Sequence, residues 1–232
     1  MGDPAHVLCV CTANVCRSPA AELLLRAGLR ARLGADADAE VVVASAGTWA
    51  SPDRPIELGT AAALRRAGVD PAEVSAARSI RLTPEAIAGA DLILASTAEH
   101  VRGVWRLQLA SRPRTFTLGE LTRLAEAVPA EDLSVGGVGE RLRVLVARAG
   151  ALREQRRRPG GPYVTDAYDL EDPTDNDPAQ RDMVGQTALW VDFLLDTVAG
   201  PAPARRGYRD KVPGVARALQ WSRHRAARGV FR

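Results

Sequence analysis

Val7-Leu8-Cys9-Val10-Cys11-Thr12-Ala13-Asn14-Val15-Cys16-Arg17-Ser18-Pro19-Ala20-Ala21-Glu22-Leu23-Leu24-Leu25 decides how this chain is read. Its apolar opening, Val7 to Val10, has the character of a buried strand. The segment from Ser18 onward has the character of a helix. A short loop between strand and helix turns its backbone N–H groups inward at the helix N-terminus, and such a concavity binds anions. Cys11 at the start and Arg17 six residues later would put a sulfur nucleophile and a guanidinium around one bound anion. The amides of Thr12, Ala13, Asn14, Val15 and Cys16 would line the same anion site.

Outward from this loop, strand and helix patterns alternate. Strands are predicted at 6–10, 40–45, 91–96 and 114–118. Helices are predicted at 18–33, 55–67, 97–109, 119–126, 138–157 and 178–199, with a short one opened by Thr83-Pro84. Asp177 is the expected N-cap of the last, with Pro178 at the first helical position and Gln180 at the capping-box position. The alternation predicts an α/β fold: a three-layer α/β/α sandwich around a four-stranded parallel sheet, with a phosphate-binding loop after strand one. Ligands of such sheets sit at the carboxyl ends of the strands. The loops after Val10, after Ser45 and around Asp172 are expected to meet there.

Composition sets the limits. The 232 residues are 46% hydrophobic, enough for a core, and no apolar run reaches the ~18 residues of a membrane span. The N-terminal residues lack the basic-then-apolar pattern of a leader, so a cytoplasmic setting is expected. The three cysteines all fall between 9 and 16, which excludes a disulfide framework. The three histidines are scattered, which leaves a structural zinc site short of ligands. From Pro201 onward nine basic residues face the single Asp210, while the rest of the chain leans acidic. The reading is a domain over 1–200 and a basic extension over 201–232, open to an acidic partner. Arg156 to Pro162 reads as a linker.

The loop suits one kind of chemistry. Attack by sulfur needs a thiolate, which helix N-termini and nearby cations favour. Arg17 could hold two phosphoryl oxygens with its fork. Ser18 could donate to the Cys11 sulfur and assist its departure. Asn14 suits a left-handed backbone position, and its amide could brace the loop against the Ser45 hydroxyl. Cys-x5-Arg alone carries little weight in a chain where all but one of the 31 basic residues are arginine. The missing Gly-x4-Gly-Lys-Ser/Thr argues against a nucleotide phosphate loop.

Val10 to Pro19 resembles the signature of the low-molecular-weight protein tyrosine phosphatases. Ser45-Ala46-Gly47-Thr48, Ala77-Arg78 with Leu82-Thr83, Ala90 to Ala95, and Asp169-Leu170-Glu171-Asp172-Pro173 resemble further family segments, in order. The resemblance implies Cys11 as nucleophile and Arg17 as phosphate ligand. It implies Asp172 as general acid and then base, without metal or cofactor. It implies Cys16 as a reversible disulfide partner of Cys11 under oxidants. Residues 121–163 become a helical insertion before the Asp-Pro loop, with a lid or a partner surface as its role. Departures are Ala13 in place of glycine, Ser75 in place of a loop-bracing histidine, and Thr97 in place of an aspartate. Thr174 and Asp175 stand where aromatic residues wall the phosphotyrosine slot, which leaves Trp49 as one wall. A phosphorylated protein carrying phosphotyrosine is the expected substrate. A small phosphate ester, phosphoserine or phosphoarginine is the alternative. A thiol-coupled arsenate reductase, which would need downstream cysteines, and an inactive phosphoprotein-binding module belong to other classes.

Overall fold

β1 (Ala5–Cys11) is the strand expected at 6–10, and along it only His6 is exposed. Its alternation sends Val7 and Cys9 into one apolar cluster and Leu8 and Val10 into another. A strand covered on both faces needs apolar residues on both, hence the unbroken run at 7–10. β2 (Val41–Gly47), β3 (Leu92–Ala95) and β4 (Thr115–Thr117) complete one parallel sheet of order β2-β1-β3-β4. The computed structural model describes residues 3–134, 136–157, 165–173 and 177–202.

Parallel neighbours require crossovers, and helices supply them. α1 (Arg17–Leu33) and the short α2 (Ala37–Glu40) carry the chain from β1 to β2. α3 (Leu58–Arg66), α4 (Pro71–Ala76) and α5 (Pro84–Ala88) lead to β3, and α6 (Ala98–Leu107) leads to β4. α7 (Leu118–Ala125), α8 (Val138–Arg156) and α9 (Asp177–Ala199) follow. Leu23 of α1, Leu121 of α7, Leu145 of α8 and Leu194 of α9 cover one face of the sheet. Ile87 of α5 and Val104 of α6 cover the other. This is the expected three-layer arrangement.

Some boundaries differ from expectation for local reasons. The helix expected at 55–67 starts at Leu58, because the Glu57 N–H is committed to the Val15 carbonyl and Pro55 pairs with Arg78 across an antiparallel bridge. α4 was not anticipated, although Asp70 caps it through the Ala72 N–H and Pro71 opens it. α2 occupies part of the loop expected at 34–38. α9 begins at Asp177 itself, and Gln180 accepts from the Thr60 hydroxyl (3.5 Å). The basic extension from 203 and most of the expected linker lie outside the described residues. No helix among the described residues is long and apolar enough to cross a membrane.

α8 lies within the segment given to an insertion, and it presents Leu142, Leu145, Val146 and Ala149 to the core. Its last turn is fastened by a buried charge. Arg153 donates to both carboxylate oxygens of Glu120 on α7, at 2.8 and 2.7 Å, and to the Thr115 and Arg112 carbonyls. Its guanidinium also stacks on the Phe116 ring, 3.9 Å from the centroid. Removing one partner of such a pair strands the other charge in the interior. Glu120→Ala should therefore cost about 3–5 kcal/mol in denaturant melts. Removing the more exposed Asp91 partner of Arg143 should cost under about 1 kcal/mol.

Candidate active site

Strand register brings the loops together. Cys11 pairs with Gly47, Val10 with Ala95, and Ala95 with Thr117, so the four strands end level. The chain after Cys11 curls through 12–16 before α1 begins at Arg17. Asn14 makes this curl possible. Its φ of 57° is left-handed, a conformation that asparagine tolerates better than most residues. Its side chain then joins three segments. Nδ2 donates to Ser18 Oγ and Ser45 Oγ, both at 2.8 Å, and Oδ1 accepts from the Ile80 N–H at 2.7 Å. The Ser45 hydroxyl in turn donates to Glu22 on α1 (2.6 Å). Ala13 is not among the residues with positive φ, so its methyl group fits where the family pattern has glycine. Gly47 lets β2 approach the curl: a Cβ there would run into the Thr12 carbonyl oxygen and the Asn14 amide nitrogen.

Cys11 Sγ lies at the base of this loop. It is 3% exposed, receives the Asn14 N–H at 3.3 Å and lies 3.0 Å from Ser18 Oγ. The Ser18 hydroxyl, supplied by Asn14 Nδ2, has its own proton for the sulfur or for the Ala46 carbonyl (3.3 Å). Arg17 opens α1 and is 5% exposed. One of its nitrogens reaches the Leu170 carbonyl (3.4 Å) and the other forms an ion pair with Asp172 (3.1 Å).

The loop around Asp172 is docked from behind. Leu170 is buried and its N–H bonds the Ser96 carbonyl just past β3. Asp169 Oδ1 accepts the Ala98 N–H at the start of α6 (2.6 Å), while burial pushes its carboxyl above the usual range. Asp169 thus serves as an anchor, whereas the Asp172 side chain is 74% exposed and meets Arg17. Thr174 and Asp175 lie outside the described residues.

The remaining candidates separate clearly. Trp49 is bonded through its backbone N–H to the Thr12 carbonyl; its side chain is exposed and carries the Arg81 guanidinium at 5.3 Å. Cys9 is fully buried in the core, and burial pushes its thiol well up. Burial drives the Cys16 thiol up to about 11, against a lowering hydrogen bond to Thr60, so it stays protonated at neutral pH. All three cysteines are free. Ser75 does not brace the loop. It sits exposed on α4 and accepts from Arg65 (3.2 Å), and the Ile80 N–H meets Asn14 instead.

Sequence reading missed His100. It is buried in the first turn of α6, with Nε2 2.8 Å from Thr12 Oγ1 and Nδ1 2.7 Å from Thr97 Oγ1. Burial, reinforced by Arg17, lowers its pKa to about 4. Thr97-x-x-His100 puts both residues on one turn, and that spacing was the available signal.

Residues 6–134 match the family model for low molecular weight phosphotyrosine protein phosphatase, more than half of the chain. The chain belongs to that family. Low molecular weight protein-tyrosine phosphatase A of Mycobacterium tuberculosis is 38% identical over 135 residues, 57% of this chain and 77% of the relative. The protein-tyrosine-phosphatase Etp of Escherichia coli K12 is 35% identical over 114 residues, 49% and 69% of the two chains. The crystal structure of the low molecular weight protein tyrosine phosphatase from T. tengcongensis shares the fold, with a TM-score of 0.55 at 23% identity over 83% of this chain and 98% of that one.

Two stability outcomes follow from this family site. Asn14→Ala removes three hydrogen bonds and penalises the left-handed backbone, and should cost about 3 kcal/mol. Asn14→Gly keeps the backbone freedom and should cost less. His100 is held neutral, with a folded pKa of about 4 below its ordinary 6.5. Its contribution is thus complete above pH 6.5 and is lost as pH falls through about 4. The melting temperature should drop across that window, and His100→Gln should flatten the drop.

Proposed function

We propose that this phosphatase-family chain hydrolyses phosphate monoesters through a phosphocysteine at Cys11, with protein phosphotyrosine as its substrate. The observation that carries the reading is the Arg17–Asp172 pair, which joins the guanidinium at the end of the Cys11 loop to an exposed carboxylate of the loop before α9. A phosphate dianion seated on the loop amides offers Arg17 a bidentate partner in place of Asp172. The exposed carboxylate, released from Arg17, takes up a proton from solvent and is then free to serve the ester oxygen. Cys11 Sγ attacks phosphorus as Asp172 gives its proton to the leaving oxygen, so the S–P bond forms while the P–O bond breaks. Asp172 next takes a proton from water, which attacks phosphorus and breaks the S–P bond. Ser18, 3.0 Å from the sulfur, stabilises the departing thiolate.

Tyrosine as the carrier rests on less: the names of the relatives, and Trp49 exposed beside the Thr12 carbonyl as an aromatic surface for a ring. Cys16 is read as the resolving thiol. Peroxide would convert the Cys11 thiolate to a sulfenic acid, and Cys16 would condense with it, forming S–S and releasing water. This fits a reducing, cytoplasmic setting in which the disulfide is reversed. Residues 1–200 are read as the catalytic unit, and the basic extension as a region for an acidic partner.

Turnover of p-nitrophenyl phosphate tests the chemistry. Cys11→Ser should abolish it, and Asp172→Ala should lower kcat by about 10²–10⁴-fold, most for poor leaving groups. Turnover that survives Cys11→Ser overturns the mechanism. Peptides carrying phosphotyrosine, phosphoserine or phosphoarginine test the carrier. A preference for phosphotyrosine of less than about tenfold contradicts the substrate assignment.

A further inference from the structure

His100 stands outside the machinery just described, yet it touches the residue next to the nucleophile. Its two ring nitrogens face two hydroxyls, Thr12 Oγ1 at 2.8 Å and Thr97 Oγ1 at 2.7 Å. A neutral imidazole can donate to one of them and must accept from the other. Thr97 decides which. As N-cap of α6, its Oγ1 already receives the His100 backbone N–H (3.3 Å). Its own proton then needs an acceptor, and among the described residues Nδ1 is the one within reach. If Nδ1 carried the proton instead, Thr97 Oγ1 would accept twice and its hydrogen would have no acceptor, at a cost. The arrangement that satisfies every group runs Thr97 O–H to Nδ1, and Nε2–H to Thr12 Oγ1.

The consequence falls on Thr12. With its oxygen receiving the Nε2 proton, the Thr12 hydroxyl hydrogen is directed away from His100. Thr12 is exposed, follows Cys11 directly, and its backbone carbonyl is held by the Trp49 N–H (2.9 Å). We propose that His100 is a positioning residue which, as the Nε2–H tautomer, orients the Thr12 hydroxyl to donate to an oxygen of the bound phosphate ester. This rests on the phosphatase reading above and adds a donor that the loop amides do not supply. The low pKa of His100 agrees with it, because an imidazolium would need two acceptors and would face Arg17 across the loop. The same turn of α6 receives Asp169 at the Ala98 N–H, so a single helix start supports both the nucleophile loop and the acid loop.

The tautomer can be read without substrate, in the wild-type chain, from long-range ¹H–¹⁵N spectra of its three histidines. An Nε2–H signature for His100 that persists from pH 6 to 8 is expected. An Nδ1–H signature overturns the proposal. The second arm is a double-mutant cycle on p-nitrophenyl phosphate, with folding of each variant checked by circular dichroism. Thr12→Val should lower kcat/KM about tenfold, the worth of one hydrogen bond, and Thr12→Ser should restore it. His100→Ala should cost the same about tenfold in the wild-type background and nothing further in Thr12→Val. A double variant about a hundredfold down means that the two residues act independently, and overturns the positioning role. Turnover that survives Cys11→Ser would instead remove the phosphatase reading while leaving the tautomer result intact.

Discussion

The left-handed turn at Asn14 is the constraint on which the site depends. A loop that must aim its amides inward, keep the Cys11 sulfur at its base and start a helix within a few residues has few backbone solutions. One of them costs any ordinary residue the left-handed penalty at Asn14. The side chain offsets that cost by bonding to α1 at Ser18, to β2 at Ser45 and to the Ile80 backbone. Three elements distant in sequence are thus held in register with Cys11. Because these bonds are buried and satisfied, the loop holds its shape in advance of any ligand. Preorganised donors of this kind contribute most to stabilising charge in a transition state.

A second layer of support comes from the opposite side of the sheet. The start of α6 meets the Cys11 loop through His100 and Thr12, and the Asp172 loop through Ala98 and Asp169. Arg17 closes the circuit by touching the Leu170 carbonyl and Asp172. The site is therefore assembled from β1, β2, α1, α6 and the loop before α9, all at the carboxyl ends of level strands. This is where a parallel sheet leaves space for a ligand.

Much of this was legible in the chain. The apolar run at 7–10 reads as a doubly buried strand because β1 is one, and the Cys11 to Ser18 signature carries its own geometry. Asn14 and Ser45 were paired by residue chemistry alone, and they bond at 2.8 Å. What escaped depended on long-range packing or on weak local signals. His100 is one histidine among scattered ones until α6 folds against the loop. Ser75 stands in place of the family's bracing histidine, and α4 turns it outward toward Arg65. α4 itself carried a legible Asp70-Pro71 start, and its brevity hid it. Nothing local marked the Arg153–Glu120 pair, whose partners come from two helices and are buried only after both dock.

The central claim is that this preorganised loop carries covalent phosphoryl chemistry at Cys11. The most direct measurement is rapid acid quenching of Asp172→Asn during turnover of an aryl phosphate, followed by peptide mapping for the site of phosphorylation. A good aryl leaving group needs little acid help to form the intermediate, whereas its loss still needs the base, so a stoichiometric phosphate on Cys11 is predicted. Phosphate on another residue, or turnover with no covalent phosphoenzyme, would contradict the account.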